Sequence, residues 1–345
     1  MNWKELPVLP VAGGLCIALV GVASSRWLGI PLPWLLGPLL LTAATRIAGV
    51  PTQCPPAVNK FGRWVIGLSL GLYFTPEVAG QVMAHWALIL FGIVYALLLA
   101  WLGSAVYQRK AGLDPATAWF AAAIGSASEM ANMAKRNGAR IDQVVSAHSL
   151  RVLIVVTIVP FAFQWHAGDM VPVERSAGVI DWFGLALLVA GSLVAVWFFE
   201  RLRIPNSWIL GAMTFSMCLT LNDISLTAMP PWLSWAGQLA IGWSLGDKYR
   251  SDFFRTAPRL LGWVTVLTLS FICLSALLGW AIASAASLPA ATMILALTPG
   301  GIAEMTITAK ALGLGVPLVT AMQVMRMLAV VLSTEFVYRR WMKSR

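Results

Sequence analysis

The chain has 345 residues and a mean hydropathy of +0.78, and only 11% of its residues are charged. Soluble domains carry roughly 25% charged residues, so this composition excludes a soluble enzyme, a disordered chain and a disulfide-rich secreted scaffold. The formal net charge of +10 comes from short basic clusters beside apolar runs, which the positive-inside rule explains without nucleic acid. We therefore predict an all-α polytopic membrane protein that lies in the lipid bilayer and binds no nucleic acid.

Twelve apolar segments can be traced between charges, prolines and glycines. Those in the first half are Leu6–Ser24, Ile30–Ala44, Phe61–Phe74, Trp86–Tyr107, Ala116–Ala134 and Val144–Trp165. Those in the second half are Trp182–Phe199, Ser207–Leu221, Trp232–Leu245, Leu260–Ala283, Ala290–Ala309 and Val316–Tyr338. A full crossing takes about 20 residues, so the second, third, eighth and ninth segments are short.

The two halves of the chain carry the same residues at a nearly constant spacing. Blocks that begin at Pro31, Gly62 and Gly125 recur 174 or 175 residues later. This spacing predicts an internal duplication, with residues 1–166 as the first membrane repeat, 167–181 as a connector and 182–345 as the second repeat.

The distribution of Lys and Arg indicates how the two repeats are oriented. If all twelve segments cross the membrane, eleven basic residues face each side, and the bias that the positive-inside rule requires is absent. If the fifth and eleventh segments enter and leave on one side, nineteen face the cytoplasm and three face outward. We therefore predict inverted repeats with about ten crossings plus two re-entrant or broken segments. Both termini are then cytoplasmic in a multi-pass protein of the bacterial inner membrane.

The two re-entrant segments contain residues that interrupt helices. One reads Ala-Ile-Gly-Ser-Ala-Ser-Glu-Met from Ala123 to Met130, and the other reads Leu-Thr-Pro-Gly-Gly-Ile-Ala-Glu-Met from Leu297 to Met305. Lipid cannot satisfy exposed backbone groups, so such segments are buried in protein or line a wet cavity. Paired breaks at matching positions of two halves indicate a transporter binding site. A purely structural kink is the alternative.

Polar side chains near the breaks form the candidate site. Arg151 and Arg326 lie 22 residues after Glu129 and Glu304 respectively, within long apolar segments. A guanidinium group suits a carboxylate or phosphate, and a carboxylate in a membrane is typical of proton or ion coupling. The predicted solute-binding residues are Arg151, Arg326, Gln323, His148, Thr298, Gly300, Gly301, Ser126 and Ser128, and the predicted coupling residues are Glu129 and Glu304. In the alternative, each Arg neutralises a Glu and pins the broken segment in place.

The sequence contains no pattern typical of a metal or catalytic centre. No set of His, Cys and carboxylate residues has metal-ligand spacing, and there is no phosphate-binding loop or nucleophile elbow. We therefore predict no metal, no cofactor and no enzymatic activity.

Three motifs resemble a known bacterial family. Pro31-Leu-Pro-Trp-Leu-Leu-Gly37, Thr298-Pro-Gly-Gly-Ile-Ala-Glu304-Met and Met322-Gln-Val-Met-Arg326 are similar to those of the AbrB-duplication membrane proteins. The family is labelled an ammonia monooxygenase or a regulator of an acyl-CoA dehydrogenase-like stress gene, and the oxygenase label finds no metal ligands here. The first half departs from the pattern at Ile124-Gly125-Ser126 and at His148, so the two half-sites are expected to differ.

Two functions fit these observations. The first is a secondary transporter or channel-like permease for a small anionic solute, with a midplane site between the two broken segments. The second is a non-transporting inner-membrane regulator or sensor that affects gene expression indirectly. The sequence leaves open which solute or ion is moved, which ion is coupled to it, and whether the chain forms a homo-oligomer.

Overall fold

The computed structural model describes residues 8–167, 180–249 and 251–342, and these residues form helices and connections without a strand. The first half contains α1 (Val8–Trp27), α2 (Pro33–Ile47), α3 (Pro56–Gly71), α4 (Pro76–Ala84), α5 (Trp86–Val106), α6 (Pro115–Ala122), α7 (Ala127–Arg136) and α8 (Ile141–Ala167). The second half contains α9 (Trp182–Arg201), α10 (Ser207–Leu221), α11 (Pro231–Gly246), α12 (Phe253–Thr256), α13 (Pro258–Ala286), α14 (Ala290–Leu297), α15 (Ile302–Ala311) and α16 (Val316–Val337). Short π-helical turns, Tyr107–Ala111 and Tyr338–Met342, extend α5 and α16.

Six of the described helices are long and apolar enough to cross a membrane, namely α1, α5, α8, α9, α13 and α16. The prediction of a helical membrane protein is therefore supported. The count of ten crossings stays a prediction, because α2, α3, α10 and α11 have only 15 or 16 residues. At a rise of 1.5 Å per residue, such a helix is about 23 Å long, which is less than the roughly 30 Å of a hydrocarbon core.

The helices group into two compact units, and each unit contains parts of both halves of the chain. Unit 1 comprises the described residues of 1–79 and 164–252, which include α1 to α3 and α9 to α11. Unit 2 comprises the described residues of 80–163 and 253–345, which include α5 to α7 and α13 to α16. The predicted repeats divide the chain differently from these units, and they stay a prediction about the duplication of the sequence.

Glycine residues allow the helices of unit 1 to approach closely. In α3, Gly67 lies against the backbone of Ile209 in α10, and in α11, Gly242 lies against the backbone of Leu35 in α2. A Cβ atom at either glycine would overlap the facing carbonyl oxygen, so a larger residue would push the helices apart. The same arrangement recurs one turn later in both helices.

The helices α3 and α11 run antiparallel where they meet in unit 1. The side-chain amide of Asn59, near the start of α3, donates to Oγ of Ser244 near the end of α11 at 2.5 Å. One turn further along α3, Gly62 faces Gly237 in the first half of α11. Later residues of α3 therefore meet earlier residues of α11.

Asp247, immediately after α11, fastens the connection between α2 and α3. Its carboxylate accepts hydrogen bonds from the backbone N–H of Cys54 at 3.1 Å and from Oγ1 of Thr52 at 3.4 Å. It also lies 3.5 Å from Nε of Arg46. Burial raises the pKa of Asp247, and the contacts with Cys54, Arg46 and Thr52 oppose that rise. Burial, with a smaller contribution from Asp247, raises the pKa of the Cys54 thiol to about 12.

Unit 2 contains two short helical hairpins, which we call hairpin A (α6, residues 123–126 and α7) and hairpin B (α14, residues 298–301 and α15). In each hairpin the chain leaves beside the point where it entered. The backbone N–H of Arg140 donates to Oγ1 of Thr117 at 2.9 Å, and that of Gly315 donates to Oγ1 of Thr292 at 3.1 Å. The fifth and eleventh apolar segments therefore turn back on themselves.

Local sequence explains where hairpin A begins and where the helix of hairpin B is interrupted. Pro115 occupies the first turn of α6, and the carboxylate of Asp114 accepts the backbone N–H of Thr117 at 2.9 Å, which is a helix N-cap. In hairpin B, Pro299 lies between α14 and α15 and has no backbone N–H to continue a helical ladder.

Candidate functional site

Two buried arginines in unit 2 reach the tips of the hairpins. Arg151 is 8% exposed on α8, and Arg326 is 5% exposed on α16. Because both side chains are buried, the hydrogen-bond partners of each guanidinium group lie within the protein.

In hairpin B, Arg326 caps the broken end of α14. Its Nη1 donates to the carbonyl oxygen of Thr298 at 2.9 Å, and its Nη2 donates to that of Gly300 at 2.7 Å. The last carbonyls of a helix have no partner within the helix and carry the negative end of its dipole. The positive guanidinium group therefore stabilises a helix end that Pro299 and two glycines interrupt.

Gln323 lies one turn before Arg326 and completes this cap. Its Nε2 donates to the carbonyl oxygens of Leu295 at 3.1 Å and Thr298 at 3.2 Å, and its Oε1 accepts a hydrogen bond from Nη2 of Arg326. Gln323 is fully buried. The amide thus links the arginine to the carbonyls that the break leaves open.

Hairpin A repeats this arrangement with a different residue. Nη1 of Arg151 donates to the carbonyl oxygen of Ala123 at 3.2 Å, and Nη2 lies 2.8 Å from Nδ1 of His148. Nε2 of His148 lies 2.9 Å from the carbonyl oxygen of Phe120. Each of these partners precedes its counterpart in hairpin B by 175 residues, so His148 stands where Gln323 stands.

The partners of the two arginines are carbonyl oxygens rather than carboxylates. Within the described ranges neither Arg151 nor Arg326 forms an ion pair, and the Nε–H of each is buried without a partner. The alternative in which each Arg neutralises a Glu is therefore not what the structure contains, although each Arg does pin a hairpin. The positive charges of the two guanidinium groups oppose each other electrostatically.

The two predicted coupling residues occupy different surroundings. Glu304, in the first turn of α15, is 9% exposed, and its carboxylate lies so close to Gly301 that a Cβ atom there would overlap it. Glu129, in the first turn of α7, is only half-buried. Both carboxylates lie near a helix N-terminus, where the helix dipole favours negative charge.

The remaining predicted site residues line the two breaks. Thr298 is fully buried, but its hydroxyl donates to the carbonyl oxygen of Ile294 at 2.7 Å, so its backbone rather than its side chain meets Arg326. Oγ of Ser126 and Oγ of Ser128 are 3.0 Å apart in hairpin A. At Gly300, a Cβ atom would overlap the side chain of Met305.

Sequence reasoning missed two residues that belong to this cluster. Tyr95 on α5 interacts electrostatically with Arg326, and its hydroxyl lies 2.9 Å from Oγ of Ser275 on α13. Ser275 donates in turn to the carbonyl oxygen of Leu297, the last residue of α14, at 3.3 Å. A lone Tyr and a lone Ser in apolar segments have no spacing that would have identified them.

These features define a class of protein: a helical membrane protein with two half-helix hairpins, each closed by a buried arginine. The chain belongs to the AbrB family, because the family model described as transition state regulatory protein AbrB matches residues 34–342. The resemblance inferred from the motifs is thereby confirmed.

Two relatives match nearly the whole chain. The first is a protein of Escherichia coli (strain K12) that is named as a regulator, AbrB. It is 24% identical to this chain over 341 residues, which cover 97% of each chain. The uncharacterized protein YhjN of Bacillus subtilis (strain 168) is 26% identical over 369 residues, covering 96% of this chain and 91% of the relative.

Proposed function

We propose that this protein is a secondary transporter or channel-like permease of the bacterial inner membrane that moves a small anionic solute. The binding site is formed by Arg151 and Arg326 between hairpins A and B. The observation that carries this proposal is the pair of buried guanidinium groups, each with an unpartnered Nε–H and without a carboxylate partner among the described residues.

Electrostatics favour an anion at this site. Backbone carbonyls supply partial negative charge to each arginine, but two full positive charges that interact with each other remain uncompensated. Burying such charges is expensive unless an opposite charge is nearby. A bound carboxylate, phosphate or sulfate would neutralise them and accept the two free Nε–H groups.

An inverted duplication would place such a site between two opposed halves. The matching hydrogen bonds of hairpins A and B, 175 residues apart, support the duplication. The reciprocal glycine contacts, of α3 on α10 and of α11 on α2, are those of a two-fold relation. That α3 and α11, as counterparts, run antiparallel supports an inverted relation between the repeats.

The hairpins support the membrane topology with about ten crossings. Because each hairpin returns to its entry side, it adds no crossing, and nineteen basic residues then face the cytoplasm against three outside. The short helices α2, α3, α10 and α11 pack against one another, so protein rather than lipid covers much of their surface.

The name of the Escherichia coli relative favours a second function, that of a membrane regulator. In that case the arginine caps would hold a sensor in one conformation, and a small molecule would release it. A regulator needs a partner protein, whereas a permease needs only the solute and a membrane. Purified protein therefore distinguishes the two.

The test is a thermal-shift screen of the detergent-purified chain against small carboxylates, phosphate, sulfate, ammonium and amino acids. A ligand at about 100 times its Kd stabilises the folded state by about 2.7 kcal/mol. We expect an anion to raise the midpoint, and we expect Arg326→Lys to lose that rise because Lys lacks the planar fork. Arg109→Lys is the matched control, because Arg109 is exposed.

Flux through proteoliposomes then separates a permease from a sensor. An anion that stabilises the protein should enter liposomes that contain the wild type and not those that contain Arg326→Lys. No stabilisation by any anion, with both variants folded, would contradict the proposal and direct the search to a partner protein.

A further inference from the structure

We infer that His148 is a proton-operated latch on Arg151, which holds the guanidinium group when the imidazole is neutral and frees it for the solute when the imidazole is protonated. The solute part of this inference rests on the proposed function; the latch itself does not. The latch rests on two contacts of the fully buried imidazole. Nδ1 of His148 lies 2.8 Å from Nη2 of Arg151, and Nε2 lies 2.9 Å from the carbonyl oxygen of Phe120.

Counting donors and acceptors fixes the protonation state of His148. A guanidinium group has only donors, so Nδ1 of His148 must accept the hydrogen bond from Nη2 of Arg151. A carbonyl oxygen has only lone pairs, so Nε2 must carry the proton that it donates to Phe120. The arrangement therefore requires a neutral imidazole with its proton on Nε2.

A second proton would break the contact with Arg151. Protonated imidazole is a donor at both nitrogens, so Nδ1 could no longer accept, and two cations would face each other at the present 2.8 Å. The bond from Nε2 to the carbonyl oxygen of Phe120 would persist, because that nitrogen already donates. The contact that yields is therefore the one between His148 and Arg151.

The edge of Arg151 that this change releases is the one suited to an oxyanion. Nε and Nη2 lie on the same side of a guanidinium group and form one of its two-donor edges. In Arg151, Nε–H is already without a partner, and Nη2 is the nitrogen that His148 holds. Nη1 stays on the carbonyl oxygen of Ala123, so the side chain remains anchored while its free edge binds the solute.

Hairpin B provides the comparison that a test needs. Gln323 makes the same two connections with an amide, accepting from Arg326 through Oε1 and donating to Leu295 through Nε2. An amide does not titrate, so the latch of hairpin B cannot respond to pH. Of these two side chains, only His148 can take up a proton together with the solute, and this difference gives a role to the asymmetry between the two motifs.

Other charged groups near the latch are on neighbouring elements. Tyr107, in the π-helical turn after α5, interacts electrostatically with Arg151, as does Arg326 from α16. Hairpin A contributes backbone carbonyls. In these positive surroundings, an anion beside Arg151 makes protonation of His148 more favourable, and by linkage a proton on His148 makes binding of the anion more favourable. The anion and a proton from solution would therefore bind together.

Nitrogen-15 NMR of histidine-labelled full-length protein tests the latch without any solute. The signals of His148 are assigned as those that disappear in His148→Gln, and His85→Gln serves as the control for a histidine outside the cluster. We expect the neutral form protonated on Nε2 at neutral pH and its conversion to the doubly protonated form as the pH is lowered through the range in which the protein stays folded. A neutral form protonated on Nδ1, or no conversion over that range, would overturn the inference.

Sulfate binding tests the coupling, because the charge of sulfate is constant over this pH range. We expect its apparent affinity for the wild type to rise as pH falls, by up to about tenfold per pH unit. In His148→Gln, which copies the arrangement of hairpin B, this dependence should vanish, and Gln323→His should introduce a second one. An unchanged pH dependence in His148→Gln would refute the coupling. Absence of sulfate binding to the wild type at every pH would count against the proposed function, while the NMR result would still decide the latch.

Discussion

Arg326→Met should destabilise the protein, because it removes the donors that cap hairpin B and keeps a side chain of similar length. The carbonyl oxygen of Gly300 and Oε1 of Gln323 would lose the hydrogen bonds that Arg326 gives them. The carbonyl oxygen of Thr298 would keep Nε2 of Gln323 at 3.2 Å. A buried acceptor without a partner costs about 1–3 kcal/mol, so two of them would cost about 2–6 kcal/mol.

A competing effect acts in the opposite direction. Removing a buried charge also removes its desolvation penalty, and replacing buried ions by apolar side chains is often neutral or stabilising by about 1–4 kcal/mol. We expect the unpaired acceptors to outweigh this gain, because Pro299 has no backbone N–H that could replace the guanidinium group at the break. We expect a net loss of about 2 kcal/mol or more.

Unfolding in mixed detergent and dodecyl sulfate micelles, followed by tryptophan fluorescence, measures this loss. Arg109→Met is the control, because Arg109 is exposed. Gln323→Leu and the double variant complete a cycle, in which we expect a coupling energy of about 1 kcal/mol or more between residues in direct contact. An Arg326→Met protein as stable as the wild type would refute the capping argument. The arginine would then add nothing to stability, and its role would be functional alone.

Three further predictions test the fold and its pH dependence. In a cysteine-free background, Lys110→Cys and Arg140→Cys should both react with a membrane-impermeant thiol reagent from the cytoplasmic side. Ala286→Cys and Ala311→Cys should both react from the opposite side. Labelling of Lys110→Cys and Arg140→Cys from opposite sides would contradict the return of hairpin A. Gly67→Ala should destabilise unit 1 by about 1–3 kcal/mol by overpacking, whereas Gly262→Ala, which meets no atom within 4 Å, should be neutral or stabilising in the same unfolding assay. Because burial raises the pKa of Asp247, the folded state binds its proton more tightly than the unfolded state does, so this carboxyl adds stability as pH falls from neutral towards its ordinary pKa. The thermal midpoint of the wild type should therefore rise over this range, Asp247→Asn should lose the rise, and the control Asp142→Asn should keep it. Identical pH profiles for Asp247→Asn and the wild type would contradict the assignment.

Much of the fold was predictable because apolar runs that cross a membrane and residues that interrupt helices can be recognised from short stretches of sequence. The apolar segments from Trp86, Trp182 and Val316 each became a long helix, since their residues satisfy lipid over a full crossing. The break at Pro299 was equally readable, because proline cannot extend a helical ladder. The sequence analysis did not predict the short helix α4, since nine residues are too few to form a long apolar segment.

The chemistry of the site was less predictable because its acceptors are backbone atoms. The sequence drew attention to Arg326 and Glu304, and their charges suggested either an anion-binding arginine or an ion pair between the two. The structure pairs Arg326 with the carbonyl oxygens of Thr298 and Gly300 instead. Every residue has a carbonyl oxygen, so no residue type identifies such a partner. The grouping into units was also invisible, because helices in lipid show little amphipathic periodicity from which a neighbour could be inferred.

The shortness of the hairpin helices has a consequence for the membrane potential. Helices α6 and α14 have eight residues each, so each is about 12 Å long, which is less than half of a hydrocarbon core of roughly 30 Å. In the proposed re-entrant topology, water or polar groups would fill the rest of that depth on the open side of each tip, and such a medium of high dielectric constant carries little of the voltage drop. Most of the voltage would then fall across the thin layer that holds the two arginines, where each elementary charge that crosses exchanges about 2.3 kcal/mol per 100 mV. A single anion that passes this layer would therefore sense nearly the whole potential in one short step.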